Sequence, residues 1–225
     1  LRLAAEGAPI GEAFDHAVAG MSRQSGGNTQ FGCLLLLTPL VSVAAAGTLS
    51  REAVRDRCRA TTVDDAVDFY RAFEHVDVAV GDPPEGADDL DVRRGSDAEP
   101  ALRERETTLW DVMELSAAPD EGVPDTNAVE WVEGFPRTFD AAEAVLGDDG
   151  PVLDRAARSF LRQLAAEPDT LVRTSHGEET ARETRRRAEE TLTAVERADS
   201  LDPAEDLARE FVDEGINPGT TADRV

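Results

Sequence analysis

The stretch Phe31-Gly-Cys-Leu-Leu-Leu-Leu-Thr-Pro-Leu-Val-Ser-Val-Ala-Ala-Ala46 decides how the rest of this 225-residue chain is read. Its apolar residues fall on nearly every side of a helical projection, so the spacing predicts a central buried helix rather than a surface one. Pro39 is expected to kink that helix or mark a break, because proline lacks the N–H the helical ladder needs. The apolar run from Cys33 to Ala46 is too short to span a bilayer, which takes about 20 residues.

Outward from this segment the pattern stays helical. Ile10 to Gln24 carries Phe14, Ala17, Val18 and Met21 on one face, and Gly26 and Gly27 stop it. Arg51–Arg59 and Asp64–Phe73 follow, the second preceded by a capping box from Thr62 and Asp65. Gly81 to Pro100 is rich in Asp, Gly and Pro and reads as a loop insert between an N-terminal and a C-terminal helical half. Helical spacing resumes over Leu102–Leu115, over Ala128–Leu146, and from Gly150-Pro151 to Ala166. Ser175 and Glu178 spell a capping box that opens a long polar helix to Ala198, with Glu178–Arg182 and Glu183–Arg187 at i, i+4. A last full helix starts at Asp202-Pro203 and ends at Gly215, and only Val76–Val80 shows strand-like alternation. The expected fold is all-α, a single multi-helix domain over residues 1–225.

Charge narrows the function. Arg and Lys total 23 against 47 Asp and Glu, a formal net charge of −24, and every one of those basic residues is arginine. Such an excess repels phosphate backbones and anionic lipid, which excludes nucleic acid and membrane surfaces as partners. With lysine absent it points to a salt-rich cytosol, where self-repulsion is screened, and so to a halophilic archaeon. Cys33 and Cys58 give neither a disulfide framework nor a metal spacing, which fits a reducing cytoplasm. No secretory leader is visible. The chain opens at Leu1, and the Thr220/Asp223 helix-start pattern lies at its other end, so both termini read as truncated.

Three segments depart from helix grammar. In Gln24-Ser-Gly-Gly-Asn-Thr-Gln-Phe-Gly32, residues Gly26, Gly27, Asn28 and Thr29 let backbone amides approach an anion before a buried helix. The same residues also serve as a C-cap followed by an N-cap. In Glu167 to Glu179, Asp169 and Glu178 offer oxygen ligands for magnesium, leaving Arg173 and His176 for phosphate. The alternative there is a connector with a capping box. The third segment runs from Gly215 to Asp223, with a tight turn at Asn217-Pro218-Gly219. Asp111 and Glu114 share a helix face as a further carboxylate pair.

Taken in order, these segments resemble the triphosphoribosyl-dephospho-CoA synthase family, and its archaeal members in particular. The likeness rests on Gly27-Asn28-Thr29-x-x-Gly32, Asp169-Thr170 and Asn217-Pro218-Gly219-x-x-Ala222-Asp223, together with Trp110–Leu115 and Trp131–Phe139. Gln30-Phe31 stands where the family pattern commonly has His-Lys, and Thr220 where it commonly has a second glycine. The resemblance implies a helical enzyme that moves a triphosphoribosyl unit from ATP to 3′-dephospho-CoA or a related acceptor and releases adenine. It implies Asp169, Asp223 and Glu114 as catalytic carboxylates. Gly26, Gly27, Asn28, Thr29, Arg173, His176, Asn217 and Gly219 would be phosphate-binding, with Mg2+ accompanying ATP. The other readings are a non-catalytic nucleotide-binding protein, or a magnesium-dependent hydrolase of nucleotides or phosphoesters.

Overall fold

The computed structural model describes residues 1–24, 30–81, 83, 86–119 and 123–225. Among them every regular element is helical and no strand forms, as the periodicity requires; residues 76–80 are irregular. The chain divides into two compact units, Leu1–Pro136 and Arg137–Val225. The division therefore falls well after the Gly81–Pro100 stretch.

The first unit holds α1 (Arg2–Ala5), α2 (Ile10–Met21), α3 (Phe31–Ala45), α4 (Arg51–Arg59), α5 (Val63–Ala72), α6 (Glu99–Glu104), α7 (Leu109–Ala117) and α8 (Thr126–Glu133). Helix α3 runs unbroken through Pro39. The missing N–H of Pro39 leaves the Leu35 carbonyl without its helical donor. The buried indole of Trp131 on α8 supplies one instead, Nε1 donating to Leu35 O at 3.3 Å. The Thr38 hydroxyl donates to Leu34 O at 2.7 Å one turn back. An orphaned acceptor in the core is thus converted into a helix–helix contact.

Around α3 packs an aromatic cluster. Phe14 meets Phe31 edge-on at 5.0 Å, and Phe73 lies 4.8 Å from Phe31 and 5.2 Å from Phe69. Burying each such ring contributes roughly 1.5–3 kcal/mol. Helices α2 and α5 touch backbone to backbone at Gly11, where an added Cβ would lie 2.4 Å from Asp65 O. Asp65 completes the expected capping box with Thr62, and its other oxygen accepts Gly11 N at 2.7 Å.

Several expectations fail here for identifiable reasons. The described part of the expected loop at 81–100 is ordered by two 3-10 turns, Asp88–Leu90 and Val92–Ala98, and α6 already begins at Glu99. Polar anchors hold it: the Tyr70 hydroxyl donates to Leu90 O at 2.6 Å, and Ser96 N donates to Glu74 at 2.7 Å. Leu102–Leu115 is not one helix, because Glu106 takes φ +54° and Thr108 caps a new helix with Asp111. Ala128–Leu146 breaks in the same way at Gly134 (φ +82°) and Phe135 (φ +61°).

The second unit holds α9 (Pro136–Gly147), α10 (Val152–Ala166), α11 (Thr170–His176), α12 (Glu178–Ala198), α13 (Asp202–Glu214) and the single turn α14 (Gly219–Ala222). Leu161, Leu164, Ala188, Val195, Leu207 and Phe211 form its core, where α12 packs on α10 and α13. The long polar helix α12 keeps its solvent face by ion pairing. Arg186 is bracketed by Glu183 and Glu190. Arg187 does not pair with Glu183 as the spacing suggests; it reaches Glu210 and Glu214 on α13, both at 2.7 Å, with its guanidinium 4.8 Å over Phe211. Among the described residues no helix is long and apolar enough to cross a membrane.

Candidate functional site

Asp169 is the hinge of the second unit. It is 1 % exposed. As the N-cap of α11, its Oδ1 accepts from Val172 N at 3.0 Å. Its Oδ2 accepts both Thr221 N and Thr221 Oγ1, each at 2.7 Å. One carboxylate therefore satisfies the start of α11 and pins the Gly219–Ala222 turn, 52 residues later in the chain. The Asp169 loop and the closing Asn-Pro-Gly segment meet.

Arg224 seals this junction from beneath. It is 2 % exposed, its Nε donates to Thr220 O at 3.2 Å, and its Nη2 donates to Thr221 Oγ1 at 3.3 Å. Its Nη1 pairs with Glu167 Oε1. The same Glu167 oxygen lies 3.0 Å from Arg137 Nε. The chain Arg137–Glu167–Arg224–Thr221–Asp169 is continuous. A buried guanidinium left unpaired would cost about 3–5 kcal/mol, so these partners hold one another in place.

The loop glycine has a steric reason. At Gly219 an added Cβ would sit 2.8 Å from Leu171 Cδ2. A larger residue there would have to push the end of the Leu171 side chain aside, so the closing turn packs closely on α11. His176, at the other end of α11, has Nε2 3.2 Å from Gly215 O, which draws the C-cap of α13 toward the same loop.

The remaining expected residues fall as follows. Asn217 is exposed, and Asp223 is partly exposed at the C-cap of α14. Arg173 on α11 faces Glu178, Nε 2.6 Å from Oε2 but not aligned as a hydrogen bond. Glu114 is exposed on α7 of the first unit. Gly26, Gly27, Asn28 and Thr29 lie outside the described residues.

Three sequence expectations need correction. Ser175 and Glu178 form no capping box: Ser175 is already inside α11, and Gly177 at φ +87° separates α11 from α12. Glu178 is instead held between Arg173 and Arg182, 2.6 and 2.7 Å away. Asp169 and Glu178 therefore do not fit as resident magnesium ligands, one carboxylate being committed to three donors and the other to two guanidiniums. Among the described residues no group of three or more His, Cys, Asp or Glu is assembled for a metal. Thr220 likewise does not cap a helix with Asp223; it sits within α14, buried.

Sequence reasoning passed over Thr221, Glu167 and Arg224. A usable signal was present: a basic residue directly after the closing Ala-Asp, in a chain with twice as many acids as bases, has its charge matched by something nearby. Cys58 is buried and its thiol pushed well up by desolvation, a packing group as the sequence suggested.

Comparison with known proteins gives a consistent picture. The model of the CitG family, ATP:dephospho-CoA triphosphoribosyl transferase, matches residues 1–225. A crystal structure from Archaeoglobus fulgidus, provisionally described as a triphosphoribosyl-dephospho-CoA synthase, superposes with a TM-score of 0.74 at 27 % identity, over 96 % of this chain and 84 % of that one. No curated protein matches significantly.

Proposed function

Because the chain belongs to the ATP:dephospho-CoA triphosphoribosyl transferase family, we propose that it transfers the triphosphoribosyl unit of ATP to 3′-dephospho-CoA or a closely related acceptor. The observation that carries this reading is the family match along the whole chain. The meeting of the Asp169 loop with the closing motif supports it, since two segments singled out by their composition converge.

The reaction divides into groups this chain supplies. An acceptor hydroxyl oxygen forms a bond to C1′ of the ATP ribose. The C1′–N9 bond breaks, and its electron pair leaves on adenine, which takes up a proton. The acceptor's own proton passes to a carboxylate. Asp223, partly exposed beside the pinned turn, is our candidate for that base. Asp169 acts as a positioning residue, because its oxygens are engaged by Val172 and Thr221. Arg173, His176, Asn217 and Gly219 are the proposed substrate contacts of the second unit; the first unit's own candidates are Gly26, Gly27, Asn28, Thr29 and Glu114. Magnesium enters as the companion of the ATP triphosphate, part of the substrate. The arginine-only, acidic composition supports a salt-rich cytoplasm as the working environment, in an archaeon.

Incubation with MgATP and 3′-dephospho-CoA tests the reading through chromatography of free adenine. Adenine should appear only when the acceptor is present. Asp223→Asn should lower kcat about 100-fold or more with little change in KM, the usual size of a lost general base. Release of phosphate without adenine would favour the hydrolase reading instead.

A further inference from the structure

A cleft of about 380 Å3 opens in the second unit between α9 and α10. Three alanines, at positions 141, 144 and 166, form part of its wall, and their small side chains leave it open. Arg137 and Arg162 line it from the two helices, with Asp140, Gln163 and Glu167 beside them. Two guanidiniums and two carboxylates make this lining formally neutral, in a chain of net charge −24.

Glu167 is engaged on one oxygen by both Arg137 and the buried Arg224, so its charge is already matched within the protein. Arg162 is only loosely held. Its contact with Asp148 is 4.0 Å, while Asp148 takes Arg158 at 2.6 Å. A half-exposed guanidinium whose nearest carboxylate already has a better partner is available to an incoming anion. Arg137 is steadied differently: the Gln163 amide donates to its backbone carbonyl at 3.1 Å. Through Glu167 and Arg224 the cleft is joined to Thr221 and Asp169.

We infer that this cleft is a polyphosphate subsite, with Arg162 and Arg137 as its cations and Glu167 as the residue that positions Arg137. The inference deepens the transferase reading and rests on it for the identity of the ligand. The shared chemistry is a chain of phosphates, supplied either by ATP or by the diphosphate of the acceptor. The cleft volume suits a group of that size.

Calorimetry with inorganic tripolyphosphate, ATP and 3′-dephospho-CoA as separate probes, at one fixed ionic strength, tests this directly. Arg162→Ala should weaken tripolyphosphate binding about tenfold, as should Arg137→Ala, with thermal melts confirming that both variants fold. In turnover, both should raise KM for only one substrate, ATP or dephospho-CoA, and that substrate owns the subsite. Unchanged affinity for all three probes in both folded variants would overturn the subsite. Normal adenine release with unaltered KM values in both would do the same while leaving the transferase reading intact. Tripolyphosphate binding that depends on Arg162, in a protein releasing no adenine with either acceptor class, would uphold the subsite and remove the transferase reading.

Discussion

Asp65 in the first unit and Asp169 in the second use their carboxylates alike. Each is buried, each satisfies the first turn of a helix, and each gives its other oxygen to a backbone N–H more than 50 residues away, Gly11 N and Thr221 N respectively. The surroundings differ. Asp65 sits where α2 and α5 touch, beside the aromatic cluster, and its partner helix runs for twelve residues. Asp169 fastens a single turn of four residues that has little apolar surface of its own. One device braces a core; the other shapes a loop. A carboxylate that accepts remote N–H groups is therefore not catalytic by virtue of its burial, and its purpose is read from what it fastens.

That contrast breaks first at Gly11. Alanine there would drive Cβ to 2.4 Å from a backbone oxygen, which no side-chain adjustment relieves. Gly11→Ala should destabilise the protein by more than about 4 kcal/mol, seen as loss of the cooperative melt. Next come the two aspartates. Asp65→Asn and Asp169→Asn each turn one acceptor oxygen into a donor facing an N–H, at about 2–3 kcal/mol for the well-packed first site and about 1–2 kcal/mol for the terminal turn. Measured at a temperature where both remain folded, Asp169→Asn should lose at least tenfold in kcat and Asp65→Asn little. Equal losses would erase the distinction between brace and site.

The smallest effect sharpens the comparison by counter-example. Asp68, one turn beyond Asp65, pairs with the Arg71 guanidinium at 2.6 Å rather than with a remote backbone N–H. Burial raises its carboxyl above the ordinary range, with Arg71 pulling the other way and Asp15 and Asp65 adding to the rise. The folded state then binds its proton at higher pH than the unfolded chain does. This group therefore disfavours folding at neutral pH, and stability from it increases as pH falls through the raised value toward the ordinary one. Asp68→Asn should be neutral or slightly stabilising at pH 7, by at most about 0.5 kcal/mol, with the difference vanishing in acid; denaturant midpoints across pH read it out.

The parts legible in the sequence were those governed by local rules. Helix α3 followed from apolar residues on all faces, α10 from its Gly-Pro start, and the Thr62–Asp65 box from spacing alone. Breaks at Glu106 and Phe135 were not legible, because both hold positive φ without being glycine. The Ser175–Glu178 box failed because an earlier cap, Asp169, had already started a helix across it. At the candidate site the residue types were readable and their use was not. Asp169 was singled out as a reactive carboxylate, yet only the fold reveals Thr221 as its partner. Arg224 was invisible to periodicity because its burial depends on Glu167, far away in sequence.

Mass balance across a single turnover tests the transferase reading most directly. With MgATP and 3′-dephospho-CoA, the acceptor should gain the mass of one triphosphoribosyl unit for each adenine released, with no net phosphate produced. An acceptor of unchanged mass, whether or not ATP is consumed, would contradict it.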